Sequence, residues 1–151
     1  MYHGGASGLS AAVQRQFDGE ALDRLGETMV GAADFDADGF ADVALGNSYP
    51  SESPTGRPPV VRVVRGSATG LAPTPARTLS IADRRRYFGQ ALLGGDVNGD
   101  GVSDLVVGAR DFGDNAGAAF VFHGSASGIG ASETLRINGA PREAFATRIA
   151  H

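Results

Sequence analysis

Two nine-residue stretches, Asp34-Phe35-Asp36-Ala37-Asp38-Gly39-Phe40-Ala41-Asp42 and Asp96-Val97-Asn98-Gly99-Asp100-Gly101-Val102-Ser103-Asp104, share the pattern D-x-[DN]-x-D-G-x-x-D. Oxygen-bearing side chains at positions 1, 3, 5 and 9, with a main-chain carbonyl at position 7, are the donor set of a hard divalent cation such as Ca²⁺, and the glycine at position 6 permits the sharp bend. The candidate ligands are Asp34, Asp36, Asp38, the Phe40 carbonyl and Asp42 in one stretch, and Asp96, Asn98, Asp100, the Val102 carbonyl and Asp104 in the other. Two Ca²⁺ sites are therefore expected. Asp/Gly turns also form without metal, because Asp and Asn bond their own backbone. The same four oxygen positions filled twice, in register, favour the cation, since carboxylates crowded this closely raise one another's pKa unless a positive charge neutralises them.

These loops are not EF-hands. An EF-hand needs a bidentate Glu at position 12, and Leu45 and Val107 stand there. Each loop leads into a short apolar run, Val43-Ala44-Leu45-Gly46 or Leu105-Val106-Val107-Gly108, too short for a helix. Equally short apolar runs precede them at Met29-Val30-Gly31-Ala32-Ala33 and Ala91-Leu92-Leu93-Gly94-Gly95. Each acidic loop is thus expected to join two neighbouring buried strands as a hairpin.

The positioning elements repeat. Tyr2-His3-Gly4-Gly5-Ala6-Ser7-Gly8-Leu9, Val64-Arg65-Gly66-Ser67-Ala68-Thr69-Gly70-Leu71 and Phe122-His123-Gly124-Ser125-Ala126-Ser127-Gly128-Ile129 are copies of one segment, and Leu25-Gly26, Phe88-Gly89 and Phe145-Ala146 are copies of another. The unit is about 60 residues long. Within it the Gly, Pro, Ser and Asp clusters mark off four strands, at 26–33, 42–46, 60–65 and 77–81, then at 88–95, 103–109, 117–123 and 133–137. No segment has helical periodicity. Four short antiparallel strands per repeat is the pattern of a β-propeller blade, so the expected fold is all-β.

Phe88-Gly89, the acidic loop, Val107-Gly108-Ala109 and then Gly117-Ala118-Ala119-Phe120-Val121-Phe122-His123-Gly124 resemble the FG-GAP repeat of integrin alpha-subunit β-propellers and of many bacterial secreted proteins. The first copy departs further, with Leu25-Gly26 for Phe-Gly and Gly46-Asn47-Ser48 for Gly-Ala-Pro. Arg110 stands where the family usually has Pro in the second. The resemblance implies that the aspartates bind Ca²⁺ in the hairpin between the two inner strands, and that the protein acts outside the cell. On this reading residues 1–24 end one blade, with strands near 2–4 and 13–17. Residues 25–87 and 88–144 are full blades, and 145–151 begin another. That is an incomplete ring of about two and a half blades, where closed propellers have about 4 to 8. The ends then pair with the remainder of a longer propeller or with further copies in a homo-oligomer, through exposed blade edges.

Composition sets the outer bounds. The chain has 151 residues, 42% hydrophobic and 20% charged, as in ordinary globular proteins. Its 23 glycines suit many tight turns. No apolar stretch is long enough to span a membrane, and no signal peptide is visible. Cysteine is absent, which removes disulfides and thiolate metal sites. The net charge of −4 would fall to about zero with two divalent cations bound. All 13 basic residues are Arg. Arg84-Arg85-Arg86 is read as a solvated loop, and nothing forms the basic stripe of a nucleic-acid binder.

Catalysis finds no constellation. The carboxylates are consecutive in tight loops and do not flank a cleft as a glycosidase pair must. His3, Arg65 and His123 share one repeat slot, which reads as a solvent-facing strand end, and Ser67, Ser125 and Ser127 lie in Gly-Ser turns without a nucleophile elbow. Val43, Leu45, Val61, Val63, Leu92, Leu105, Val107 and Val121, with Phe88 and Phe145, are the expected core between blades. The sequence thus points to a non-enzymatic, calcium-binding module that is a structural or protein-interaction scaffold. The alternatives are a carbohydrate- or ligand-binding module using the Asn47–Pro59 loop, and an accessory propeller segment of a larger secreted hydrolase.

Overall fold

The computed structural model describes residues 4–5, 8–9, 13, 15–19, 24–47, 58–81, 87–143 and 145–147. After a two-residue pairing of β1 (Gly4–Gly5) with β2 (Gly8–Leu9), the chain forms two four-stranded sheets. β3 (Thr28–Ala33), β4 (Asp42–Asn47), β5 (Val60–Val64) and β6 (Arg77–Ser80) make the first, and β7 (Phe88–Gly95), β8 (Asp104–Ala109), β9 (Ala118–Phe122) and β10 (Leu135–Asn138) the second. Every neighbour is antiparallel and sequential, so both sheets are plain meanders. Two four-stranded blades are what the punctuation of the sequence requires.

Alternation explains which side of each strand is buried. In β5, Val61 and Val63 turn into the core while Arg62 between them does not. One apolar cluster then draws on both sheets, with Ala44, Val61, Val63 and Leu79 from the first and Phe88, Leu105, Val107, Phe120 and Phe122 from the second. Phe88 has no exposed surface, and its ring meets Phe120 and Phe122 edge-on at 5.6 and 6.3 Å between centroids. Burying a side chain of this size stabilises by about 1.5–3 kcal/mol, and the aromatic pairing adds to it. A second, smaller cluster of Val43, Leu45 and Val64 covers the other face of the first sheet, with Phe17, Leu25 and Leu71 against it.

The two blades interlock because β7 lies across β3, β4 and β5. Backbone meets backbone there: a Cβ on Gly46 would run into the Gly89 carbonyl and the Thr28 hydroxyl, and Thr28 Oγ1 itself donates to the Gly89 carbonyl. The same contact recurs one repeat later, where a Cβ on Gly108 would meet the Ala146 carbonyl. The Leu25-Gly26, Phe88-Gly89 and Phe145-Ala146 pairs each turn through positive φ at their second residue, 87°, 92° and 60° respectively.

Some expectations need correcting. Residues 13 and 15–17 are not in a strand, and the N-terminal pairing runs between Gly4–Gly5 and Gly8–Leu9, because a tight Gly-rich hairpin closes locally. Phe145 is 39% exposed and outside the core, and residues 145–147 are turn and bend; 148–151 lie outside the described residues. Phe112–Asn115 curls like one helical turn, but Gly113 and Asp114 have positive φ, so it is a tight turn in the β8–β9 connection. Arg84-Arg85-Arg86, His3 and residues 48–57 of the long loop also lie outside the described residues.

Candidate metal centre

Both acidic stretches are the hairpin connections expected of them, β3 to β4 and β7 to β8. Their backbones are organised around the first carboxylate. Asp34 Oδ1 and Oδ2 accept from the Asp38 and Gly39 amides at 3.2 and 2.9 Å. Asp96 accepts from Gly99 and Asp100 at 2.7 and 3.1 Å on Oδ1 and from Gly101 at 2.9 Å on Oδ2. These donors, the Gly101 amide foremost, hold Asp96 below the usual carboxylate range. The bend needs positive φ at position 6, where Gly39 and Gly101 lie at 88° and 89°. At position 5, Asp38 and Asp100 accept from the Phe40 and Val102 amides, both at 2.9 Å.

The position 9 carboxylates are structural hubs as well as candidate ligands. Asp42 and Asp104 are fully buried. Asp42 Oδ2 accepts from the Phe35 amide at 2.9 Å and Oδ1 from the Gly66 amide at 2.7 Å. Asp104 repeats this with Val97 at 3.0 Å and Gly124 at 2.9 Å. Each ties its own loop to the glycine that opens the turn after β5 or β9. Close packing enforces glycine there, because a Cβ on Gly66 or Gly124 would run into the Ala41 or Ser103 carbonyl.

The loops differ at position 3. Asp34, Asp36 and Asp42 each present a carboxylate oxygen, and the three lie within 4.8 Å of one another. Asp36 is 6% exposed, and its Oδ1 is buried without a hydrogen-bond partner. Burial, then the Asp38 charge, raise its pKa against the pull of Arg65, and burial raises that of Asp42 against its two amide donors. A carboxylate with a buried, unpartnered oxygen, grouped with two other carboxylates, is unfavourable for the metal-free chain and suited to a cation. The donor set at the first loop therefore fits Ca²⁺. In the second loop Asn98 replaces the carboxylate, accepting from the Asp100 amide and donating to Asp100 Oδ2, both at 2.8 Å. Among the described residues no second acidic triad is drawn as close.

Arg65 is the residue that sequence reasoning missed. Its Nε lies 2.9 Å from Asp36 Oδ2, and its Nη2 donates to the Ser127 carbonyl of the next blade at 2.7 Å. The signal was in the repeats, where Asp36 against Asn98 runs in parallel with Arg65 against His123. No described helix is long and apolar enough to cross a membrane.

Comparison with known proteins agrees with this geometry. The FG-GAP repeat family matches residues 28–60 and 88–122, that is, both hairpins and, in the second repeat, β9 as well. The chain is 37% identical over 95 residues to integrin alpha-V of Gallus gallus, covering 60% of this chain and 9% of the relative. It is 35% identical over 103 residues to integrin alpha-E of Mus musculus (58% and 8%). To integrin alpha pat-2 of Caenorhabditis briggsae it is 34% identical over 98 residues (62% and 8%). It thus spans less than a tenth of the length of these relatives. With two meandering four-stranded sheets and an acidic loop at the first hairpin of each, the chain carries two FG-GAP repeats and is similar in sequence to integrin alpha subunits.

Proposed function

We propose that the chain is a calcium-binding segment of an extracellular β-propeller that serves as a non-catalytic scaffold for protein interaction. The observation that carries this reading is the grouping of Asp34, Asp36 and Asp42 carboxylate oxygens within 4.8 Å, with Asp36 Oδ1 buried and unpartnered. Asp34, Asp36, Asp38, Asp42 and the Phe40 carbonyl would hold one Ca²⁺, and Asp96, Asn98, Asp100, Asp104 and the Val102 carbonyl a second. A bound cation supplies positive charge that neutralises the loop. The chain's own residues do the rest: the buried Asp42 and Asp104 fix each loop on its blade through amide donors from two segments, and β7 fixes one blade on the other. Blade limits of 25–87 and 88–144, with 145–151 opening another, are supported by the repeat of the Gly46–Gly89 contact at Gly108–Ala146. The outward face of the second sheet leaves Leu135 and Ile137 about half exposed, at 53% and 48%, a surface suited to a further blade or a second copy.

The test is calorimetric titration with CaCl₂ alongside melting in calcium and in chelator. Binding to the folded form alone raises stability by about 2.7 kcal/mol at a free concentration one hundred times Kd. Equal melting temperatures in excess calcium and in chelator would reject the proposal.

A further inference from the structure

We infer that Arg65 is a built-in counter-charge that sets the cation affinity of the first loop and couples that loop to the neighbouring blade; this rests on the cation reading above. The first loop carries four carboxylates, Asp34, Asp36, Asp38 and Asp42, where the second carries three, Asp96, Asp100 and Asp104. On charge alone the first should bind a divalent cation more tightly. The surplus carboxylate is Asp36, and it is the one that Arg65 contacts, at 2.9 Å through Nε on Oδ2. The guanidinium returns the first loop to the net charge of the second, whose equivalent slot holds His123.

Geometry gives the pair a second consequence. Arg65 occupies Oδ2 and leaves Oδ1 buried and unpartnered, so the carboxylate offers one oxygen to the cation while the other stays on the guanidinium. The same guanidinium holds the Ser127 carbonyl in the turn after β9. Gly128 lies against it: a Cβ there would come within 2.9 Å of Arg65 Nη2 and displace the guanidinium. The positioning residue of the first loop is thereby anchored in the second blade.

The experiment uses the full chain carrying Asp96→Ala and Asp100→Ala, so that CaCl₂ titration reads the first loop alone. In that background Arg65→Gln is expected to lower Kd about tenfold, the effect of removing one positive charge ~6 Å from a divalent ion in a water-like dielectric. The same substitution lowers the melting temperature in chelator, because the buried Asp36 then loses its ion pair. Tighter binding with a less stable metal-free form is a combination that a merely structural role would not give. Adding Asp36→Asn to Arg65→Gln removes a ligand charge that lies nearer the ion than the guanidinium did, and is expected to raise Kd at least about tenfold above that of Arg65→Gln alone. Where Arg65→Gln does not fold, Arg65→His at a pH above the imidazole range carries the same expectation. An unchanged or raised Kd on removing the Arg65 charge, with calcium heat present in the parent, overturns this inference and leaves the cation reading standing. Absence of heat in every variant overturns the cation reading and this inference with it.

Discussion

At the scale of single residues, the carboxylates of each loop divide into two jobs that mutation can separate. Asp42 and Asp104 accept buried amides on both oxygens, so Asp42→Ala or Asp104→Ala leaves two donors unsatisfied and should cost about 2–5 kcal/mol even in chelator, as denaturant melts would report. Asp36→Asn should weaken calcium binding with a much smaller loss in the metal-free protein. The pH dependence is set by the raised pKa values of Asp36 and Asp42. The folded, metal-free chain keeps its protons where the unfolded chain, with the ordinary value of 3.8, has released them. Stability from these groups is therefore fully present below that value and is lost as pH rises through the raised folded-state values. Calcium selects the ionised form and reverses the trend. Measured from about pH 4 to about pH 7, the melting temperature of the wild type should fall relative to that of Asp36→Asn in chelator and rise relative to it in calcium; parallel curves in both would contradict the shift. The loop oxygens were legible in the sequence because ligand spacing is local. Arg65 was not, since its partner is 29 positions away and its slot looks solvent-facing until β5 is placed beside the loop.

At the scale of elements, the eight strands of the two sheets were legible to within two residues because Gly, Pro and Asp punctuate them and period-two alternation fixes their inner faces. What failed was placement that depends on a neighbour. Phe88 is buried because Phe120 and Phe122 close round it, while Phe145, the same residue type in the same repeat slot, stays 39% exposed. Phe88→Ala should cost about 3–5 kcal/mol. The Gly46–Gly89 approach can be tested in the same way. Gly46→Ala places a methyl group against a carbonyl and should cost about 1–3 kcal/mol, whereas Ala146→Gly relieves a left-handed alanine at φ 60° and should stabilise by up to about 1 kcal/mol. Thermal melts of both variants decide this, and equal effects would refute the close approach.

At the scale of the whole molecule, one core cluster spans both sheets, so the blades should unfold together. Fluorescence labels on either blade are expected to report the same midpoint, and two separate transitions would show that β7 does not lock them. Hairpins that alternate ends also sort the connections. The acidic loops at 34–41 and 96–103 share one rim with the turns at 65–76 and 123–134, and the connections at 48–59 and 110–117 leave from the opposite rim. Replacing residues 48–57 by a short Gly/Ser linker should thus leave calcium titrations unchanged, although it would abolish any ligand read by that loop. The acidic loops and the long connection thus leave the blades at opposite ends, so sequence can change at one end without disturbing the other.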